Sequence, residues 1–118
     1  MSPTVLIVDD HPSFRFCART TLESEGFEVV GEAEDGQAAL AAAAELEPEI
    51  VLLDVQLPDM SGFDVCDTLC RQNGAAPAVI LVSSRDGADY GDLIATCGAR
   101  GFVPKAELSG AAVSALLR

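Results

Sequence analysis

The sequence predicts an α/β fold, a doubly wound parallel sheet of five strands flanked by five helices. Three observations support this prediction. Short apolar runs alternate with helix-like segments along the chain. Inner runs such as Ile50–Leu53 are continuously apolar, as in strands covered on both faces. Polar groups directly follow several of these runs. Strand alternating with helix implies parallel strands joined by right-handed crossovers.

The five strands are short runs rich in β-branched and aliphatic residues. The second is the most polar, with Glu28 and Glu32 in it, and is expected at an edge of the sheet. The predicted strands are Thr4–Val8, Glu28–Ala33, Ile50–Asp54, Ala78–Ser83 and Gly101–Pro104.

Helices are expected between the strands. The first begins with Pro12 and ends before Gly26, as is typical of helix ends. Ser61 can cap the third helix, with Asp64 as a capping-box partner. A glycine, Gly91, weakens the fourth. The predicted helices are Pro12–Glu25, Gln37–Leu46, Ser61–Arg71, Asp89–Cys97 and Ala106–Leu117.

Composition limits the function classes. The 118 residues suit one domain, and a hydrophobic content of 49% supports a compact core. Seven Lys and Arg against 19 Asp and Glu leave a net charge of −12. Because nucleic-acid binding depends on basic contacts to phosphates, we expect no direct nucleic-acid contact by this domain.

The cellular setting is predicted to be cytoplasmic. The N-terminus has no basic region before its first apolar run, so no signal peptide is expected. No apolar stretch approaches membrane-spanning length. The four cysteines do not form a framework like that of small secreted domains, which favours reduced thiols.

Five polar residues fall at the carboxyl ends of predicted strands, where open α/β sheets bind ligands. They are Asp9, Asp10, Asp54, Ser83 and Lys105. A cluster of three carboxylates repels strongly unless a hard divalent cation compensates it or one member is used chemically. A carboxylate can attack an activated phosphoryl group, and a lysine can offset the charge of that transfer. The set therefore indicates phosphoryl chemistry.

The motifs around these residues resemble the receiver domain of two-component response regulators over essentially the whole chain. The matching segments are Val8-Asp9-Asp10-His11-Pro12, Leu53-Asp54 through Ser61-Gly62, Leu81-Val82-Ser83-Ser84 and Gly101-Phe102-Val103-Pro104-Lys105. The acidic pair followed by His-Pro resembles the NarL/LuxR-type subgroup. The resemblance implies a CheY-like, flavodoxin-like sheet of order 2-1-3-4-5.

The resemblance also implies a role for each site residue. Asp54 is the phosphoacceptor, and Mg²⁺ is held by Asp9, Asp10 and Asp54 with the backbone carbonyl of Gln56. Lys105 pairs with Asp54 and then with a phosphoryl oxygen. Ser83 is the switch hydroxyl, with Ser84 as its competitor. Simpler interpretations stay open for some of these residues. Asp10 could cap the first helix, and Lys105 could be a surface lysine.

Two further positions have two interpretations each. Phe102 matches the aromatic switch position but could equally be a plain core residue. His11 is expected to be an exposed loop histidine rather than a phosphoryl donor. Ala106 stands where many receivers have proline, and Arg85 flanks the expected phosphate pocket beside Gln56.

The predicted partners are a sensor histidine kinase or phosphotransfer protein, with a second copy of the chain as a further candidate partner after phosphorylation. The expected unit is one receiver domain over residues 1–118 with no output domain in this chain, either stand-alone or a fragment of a longer transcription regulator. It would be no enzyme beyond its own phosphoryl transfer and dephosphorylation.

Two rival functions stay open beside this one. A phosphorylation-independent pseudo-receiver, acting as a dimerisation or adaptor module, predicts loss of one or more site groups. A flavin-binding electron carrier needs a glycine- and hydroxyl-rich phosphate loop after the first strand. Here that loop contains Asp9 and Asp10, which would repel a flavin phosphate.

Overall fold

The computed structural model describes residues 2–71, 76–84 and 90–117. All five strands have the predicted bounds, β1 (Thr4–Val8), β2 (Glu28–Ala33), β3 (Ile50–Asp54), β4 (Ala78–Ser83) and β5 (Gly101–Pro104). The helices are α1 (Pro12–Ser24), α2 (Gly36–Leu46), α3 (Gly62–Cys70), α4 (Leu93–Thr96) and α5 (Gly110–Leu117). The longest described helix, α1, has 13 residues, and none of those described could cross a membrane.

The strands form one parallel sheet of order β2-β1-β3-β4-β5. This confirms both the predicted order and the edge position of β2. The chain moves from β1 outward to β2, returns to β3, and continues to the other edge. The order therefore reverses between β1 and β3, and the carboxyl ends of these two strands flank the switch point.

Alternate residues of each strand face opposite sides of the sheet, which produces two cores. On one side, Leu6 and Leu53 pack with α2 and α3. On the other side, Val5 and Ile7 pack with α1 and α5. The inner strands β1 and β3 are buried along their whole length apart from Thr4 at the start of β1. This double burial explains why their sequences are continuously apolar rather than alternating.

The N-terminus of α3 is capped as predicted, but not by a capping box. Ser61 Oγ accepts the backbone N–H of Phe63 at 3.1 Å. The N–H of Asp64 instead donates to the carbonyl oxygen of Ser61 at 3.1 Å. The predicted pairing of Ser61 with Asp64 is therefore wrong, because the hydroxyl reaches the second residue of the helix rather than the third.

The fourth helix is shorter than the predicted range Asp89–Cys97. It covers only Leu93–Thr96. Gly91 adopts a left-handed backbone with φ +55°, a conformation that a helix cannot continue through. Asp89, the predicted first residue, lies outside the described part of the chain.

The last predicted helix, Ala106–Leu117, is two elements. A 3₁₀ turn covers Lys105–Glu107, and Leu108 is extended with φ −64° and ψ 128°. The α-helix then starts afresh at Gly110, where Ser109 Oγ accepts a backbone N–H of the first turn at 3.0 Å. The local hydroxyl cap offers the backbone an alternative to a continuous helix.

The loop after β3 is anchored to the start of α2 by Asp59. Its Oδ1 accepts the N–H of Gly36 at 2.8 Å, and its Oδ2 accepts the N–H of Gln37 at 3.0 Å. These hydrogen bonds, that of Gly36 foremost, hold the pKa of the Asp59 carboxyl below its usual value. The first N–H groups of a helix lack partners within the helix. Asp59 satisfies two of them and so ties α2 to this loop.

Gly62 allows the same loop to close against β3. Its N–H donates to the carbonyl oxygen of Val55 at 2.7 Å. A Cβ at position 62 would overlap the carbonyl oxygen of Asp54 and lie 2.8 Å from Val55 Cα. Both obstacles are backbone atoms, which cannot rotate away as a side chain can. Position 62 therefore requires glycine for the close approach of two backbone segments.

We predict that Gly62→Ala lowers the free energy of unfolding by at least about 2 kcal/mol, because the added methyl must displace the backbone under Asp54. Gly31→Ala is the matched control. Its Cβ would meet the end of the Leu46 side chain at 2.7 Å, and Leu46 is 40% exposed and free to shift. Urea denaturation should show a change below about 0.5 kcal/mol for this control. Equal effects at both positions would contradict this explanation of the glycine.

Candidate functional site

Four of the predicted site residues meet at the carboxyl edge of the sheet. Asp9 directly follows β1 and Asp54 ends β3, and these strands are neighbours in which Val8, the last residue of β1, pairs with Leu53. Ser83 ends β4 beside the end of β5, and Lys105 follows β5. The parallel register therefore carries residues far apart in sequence to one point.

Two carboxylates of this group are removed from water. Asp9 is 0% exposed and Asp54 is 4% exposed. Lys105 reaches between them, with Nζ 2.6 Å from Asp9 Oδ2 and 3.4 Å from Asp54 Oδ2. Its ammonium also lies 4.6 Å from the centre of the Phe14 ring. One ammonium group thus forms ion pairs with two buried carboxylates.

The cluster retains excess negative charge. Burial raises the pKa of the Asp54 carboxyl, the neighbouring Asp9 raises it further, and Lys105 opposes both effects without cancelling them. Asp9 Oδ2 is buried and lies at ion-pair distance from Lys105, but among the described residues it has no partner with the angle of a hydrogen bond. A buried carboxylate oxygen without an aligned donor is costly.

These residues fit a hard divalent cation. Oxygen atoms of Asp9, Asp10 and Asp54 and a ring nitrogen of His11 all lie within 4.8 Å of one another. Mg²⁺ prefers carboxylate oxygens and retains several waters. Asp10 is exposed and so faces the water that would complete such a shell. The unsatisfied oxygen of Asp9 supplies a ligand atom that no aligned donor of the described chain occupies.

The segment after β1 differs from the prediction in its helix cap and in the contacts of His11. Asp10 is not the cap of α1, because His11 occupies that position and makes no side-chain cap. His11 is exposed, as predicted, but it is not free of the site. Its N–H donates to Asp9 Oδ1 at 2.8 Å, and its Nδ1 lies 3.1 Å from an oxygen of both Asp9 and Asp10.

Of the two buried carboxylates, Asp54 opens to solvent through a small cleft of about 190 Å³. Gln56 donates its backbone N–H to Asp54 Oδ1 at 3.3 Å. Of the two neighbouring serines, Ser83 is buried and Ser84 is exposed. The ligand role of the Gln56 carbonyl stays a prediction, and Arg85 lies outside the described residues. The cleft is lined by Asp10, His11, Asp54, Gln56, Leu57, Pro58, Ser83, Ser84 and Lys105.

Sequence reasoning missed one residue beside this cleft, Tyr90. Its hydroxyl lies 2.8 Å from Ser83 Oγ. Its ring packs on that of Phe102, 5.8 Å away between centroids, so the predicted aromatic position is half-buried against another aromatic residue. Tyr90 is the sole tyrosine of the chain, and it follows Ser83 within the same connection. As the single tyrosine near the site, Tyr90 could have been singled out from the sequence.

The peptide between Lys105 and Ala106, where many receivers have proline at the second position, is trans.

A parallel sheet of this order, with buried acids and a lysine at its carboxyl edge, defines the class of the protein as a receiver domain. Comparison with known families agrees. Residues 5–116 match the response regulator receiver domain, and the chain belongs to this family. Relatives and solved structures of NarL/LuxR-type regulators confirm the resemblance to that subgroup.

Curated relatives are bacterial transcription regulators. The chain is 35% identical over 102 residues to the DNA-binding transcriptional activator EvgA of Escherichia coli K12, covering 86% of this chain and 50% of EvgA. It is 43% identical over 91 residues to the DNA-binding response regulator MtrA of Mycolicibacterium smegmatis, covering 75% of this chain and 38% of MtrA. The chain thus spans about half the length of EvgA and less of MtrA.

Solved structures share the fold over nearly the whole chain. The signal receiver domain of NarL from Mycobacterium tuberculosis superposes with a TM-score of 0.84 at 32% identity, covering 98% of this chain and 97% of that one. A LuxR-family two-component response regulator from Aurantimonas sp. SI85-9A1 gives 0.87 at 29% identity, covering 99% and 86%. The chemotaxis response regulator CheY4 of Vibrio cholerae gives 0.83 at 26% identity, covering 99% and 97%.

We predict that Asp54→Asn raises the melting temperature of the metal-free protein at pH 7. The raised pKa of Asp54 means that the folded chain holds this proton more tightly than the unfolded chain does. The stabilisation of the fold by protonated Asp54 is complete below the ordinary carboxyl pKa. This stabilisation is lost as the pH rises through the raised pKa. At neutral pH the ionised group opposes folding, and the amide removes that opposition while Lys105 keeps its closer partner, Asp9.

Calorimetry in chelator from pH 7 down to about pH 4 checks this. The advantage of Asp54→Asn should shrink as the pH falls, because the wild-type carboxyl then takes up its proton. Asp64→Asn changes an exposed carboxylate on α3 and serves as the matched control. A melting temperature at pH 7 equal to or below that of the wild type would contradict the electrostatic conflict inferred for the site.

Proposed function

We propose that this receiver domain accepts a phosphoryl group on Asp54 from the phosphohistidine of a sensor histidine kinase or phosphotransfer protein. The observation that carries the proposal is the pairing of Asp54 with a second buried carboxylate, Asp9, around one lysine. The ionised Asp54 of this pair opposes folding unless a metal cation offsets its charge, which favours a chemical over a structural role. The cleft beside Asp54 is open to a donor.

The transfer is a displacement at phosphorus. A carboxylate oxygen of Asp54 forms the new P–O bond while the P–N bond to the donor imidazole breaks, and its electron pair returns to the ring nitrogen. The product is an acyl phosphate, and no oxidant or reductant is involved. Lys105, already 3.4 Å from Asp54 Oδ2, offsets the negative charge on the transferred group.

Asp9, Asp10 and Asp54, with the backbone carbonyl of Gln56, would hold Mg²⁺. The cation supplies charge neutralisation for phosphoryl oxygens in transfers of this kind. The ion would also relieve the repulsion between Asp9 and Asp54 and keep the acceptor ionised. Ser83, at the rim of the same cleft, would donate a hydrogen bond to the phosphoryl group.

The output of the switch is proposed to be transcription. EvgA and MtrA are named as DNA-binding regulators and extend well beyond the part that matches this chain. A net charge of −12 disfavours DNA contact by the receiver domain itself. Phosphorylation would therefore act through a DNA-binding segment elsewhere or through dimerisation in the cytoplasm. The domain would catalyse only its own phosphoryl transfer and its dephosphorylation.

The test is intact mass spectrometry after incubation with acetyl phosphate, with Mg²⁺ and separately with chelator. We expect one phosphoryl adduct in Mg²⁺, little in chelator, and none on Asp54→Asn. Asp64→Asn, which removes an exposed carboxylate from α3, should be labelled like the wild type.

Failure of this labelling has a defined meaning. If no adduct forms with acetyl phosphate or with a panel of phosphorylated histidine kinases, although the protein is folded, the proposal is wrong. The chain then acts as a phosphorylation-independent adaptor or dimerisation module. An adduct that persists in Asp54→Asn would place the acceptor elsewhere.

A further inference from the structure

The buried switch hydroxyl is tied to a tyrosine in the segment leading to α4. Ser83 is 3% exposed, and its Oγ lies 2.8 Å from the hydroxyl oxygen of Tyr90. Either hydroxyl can be the donor. The bond joins the end of β4, at the rim of the Asp54 cleft, to a residue that precedes the next helix.

The ring of Tyr90 is clamped between two other aromatic rings. It meets Phe63 of α3 edge-on, with centroids 5.5 Å apart, and Phe102 of β5 at a tilt, with centroids 5.8 Å apart. Aromatic pairs at such distances and angles are favourable. Tyr90 therefore connects α3 and β5 to the hydroxyl of Ser83 at the end of β4.

The same ring lines a surface cleft on the outside of the domain. The cleft is about 740 Å³ in volume and lies between the loop after β3 and α4. Leu93, at the first position of α4, forms part of its wall and is 51% exposed. A displacement of Tyr90 would consequently alter a surface that partners can contact.

We propose that Tyr90 is a positioning residue that holds Ser83 in the unmodified state and competes with the phosphoryl group for it. This inference rests on the proposed function of Asp54. Side chains occupy discrete staggered rotamers, so turning Ser83 Oγ towards a new acceptor is a jump rather than a gradual shift. A phosphoryl oxygen is charged and forms a stronger hydrogen bond than a neutral phenol does. The jump breaks the bond to Tyr90 and leaves its ring held by its packing on Phe63 and Phe102.

In this arrangement the aromatic ring on β5 and the hydroxyl that contacts Ser83 belong to two different side chains. Phe102 occupies the aromatic position on β5 but has no hydroxyl with which to sense Ser83. Tyr90 supplies the hydroxyl from a neighbouring element and packs its ring on Phe102. The state of Ser83 is thereby transmitted to Phe102 through ring packing, and two arrangements of one contact set constitute the switch.

The chain offers a direct reporter of this contact. It contains one tyrosine and no tryptophan, so its tyrosine absorption and fluorescence arise from Tyr90 alone. Adding beryllofluoride with Mg²⁺, as a stable mimic of the acyl phosphate, should change that spectrum. Ser83→Ala should show the changed spectrum before any addition. Ser114→Ala, which removes a hydroxyl from α5, is the matched control and should behave as the wild type does.

Affinity for beryllofluoride provides the second readout. If Tyr90 holds back the switch, Tyr90→Phe should tighten binding by about twofold to tenfold, the equilibrium effect of one net hydrogen bond. In the Ser83→Ala background, Tyr90→Phe should have no effect on affinity, because the partner of the hydroxyl is already gone. A merely structural role of the ring would not produce this dependence on Ser83.

The outcomes separate the inference from the proposed function. If Asp54 is phosphorylated but the tyrosine spectrum is unchanged, or if Tyr90→Phe leaves affinity unchanged or weakens it, the competition is refuted and the function of Asp54 stands. If Asp54 is not phosphorylated and beryllofluoride does not bind, the proposed function fails and the inference fails with it.

Discussion

The structure depends on one electrostatic constraint, the sharing of a single ammonium group by two buried carboxylates. Asp9 and Asp54 lie on adjacent strands, and Lys105 reaches both from the end of β5. Charges removed from water are tolerated only when they are paired and hydrogen-bonded. Within the described chain, one oxygen of Asp9 lacks an aligned donor and the pKa of Asp54 is raised. We therefore expect a further cation at these carboxylates to stabilise the folded state.

The backbone around this site is anchored by specific contacts. The loop that follows Asp54 is fastened at two points, by Gly62 against the strand and by Asp59 on the N-terminus of α2. Ser83, by contrast, shares a hydrogen bond with a neutral hydroxyl, that of Tyr90, which we propose a charged phosphoryl oxygen displaces. The loop after Asp54, the proposed acceptor, is thus held at two points, while Ser83, proposed to sense its modification, would exchange one hydrogen-bond partner for another. Such an arrangement suits a proposed switch in which Asp54 reacts in a fixed position and Ser83 transmits the change to other parts of the domain.

Sequence patterns were sufficient for the strands and for the residues that end them, and insufficient for contacts made by loops. All five strands were predicted with correct bounds, because the inner strands are largely apolar and a polar residue ends or directly follows every strand. The meeting of Asp9 and Asp54 followed from that topology alone. Gly91, with a positive φ, and the cap at Ser109 broke two predicted helices by local effects that periodicity does not register. The contact of Tyr90 with Ser83 joins the last residue of β4 to a residue just before α4, and no periodicity encodes it.

The most direct test of the central constraint is the free energy of unfolding as a function of Mg²⁺ concentration. If the carboxylate pair binds the cation in the folded state only, stability of the wild type should rise by about 1.4 kcal/mol per tenfold increase in Mg²⁺ above the dissociation constant. Asp9→Asn should abolish most of that slope, and Asp64→Asn should preserve it. An identical slope in all three proteins would show that the cation acts elsewhere and would contradict the central role of the Asp9–Asp54 pair.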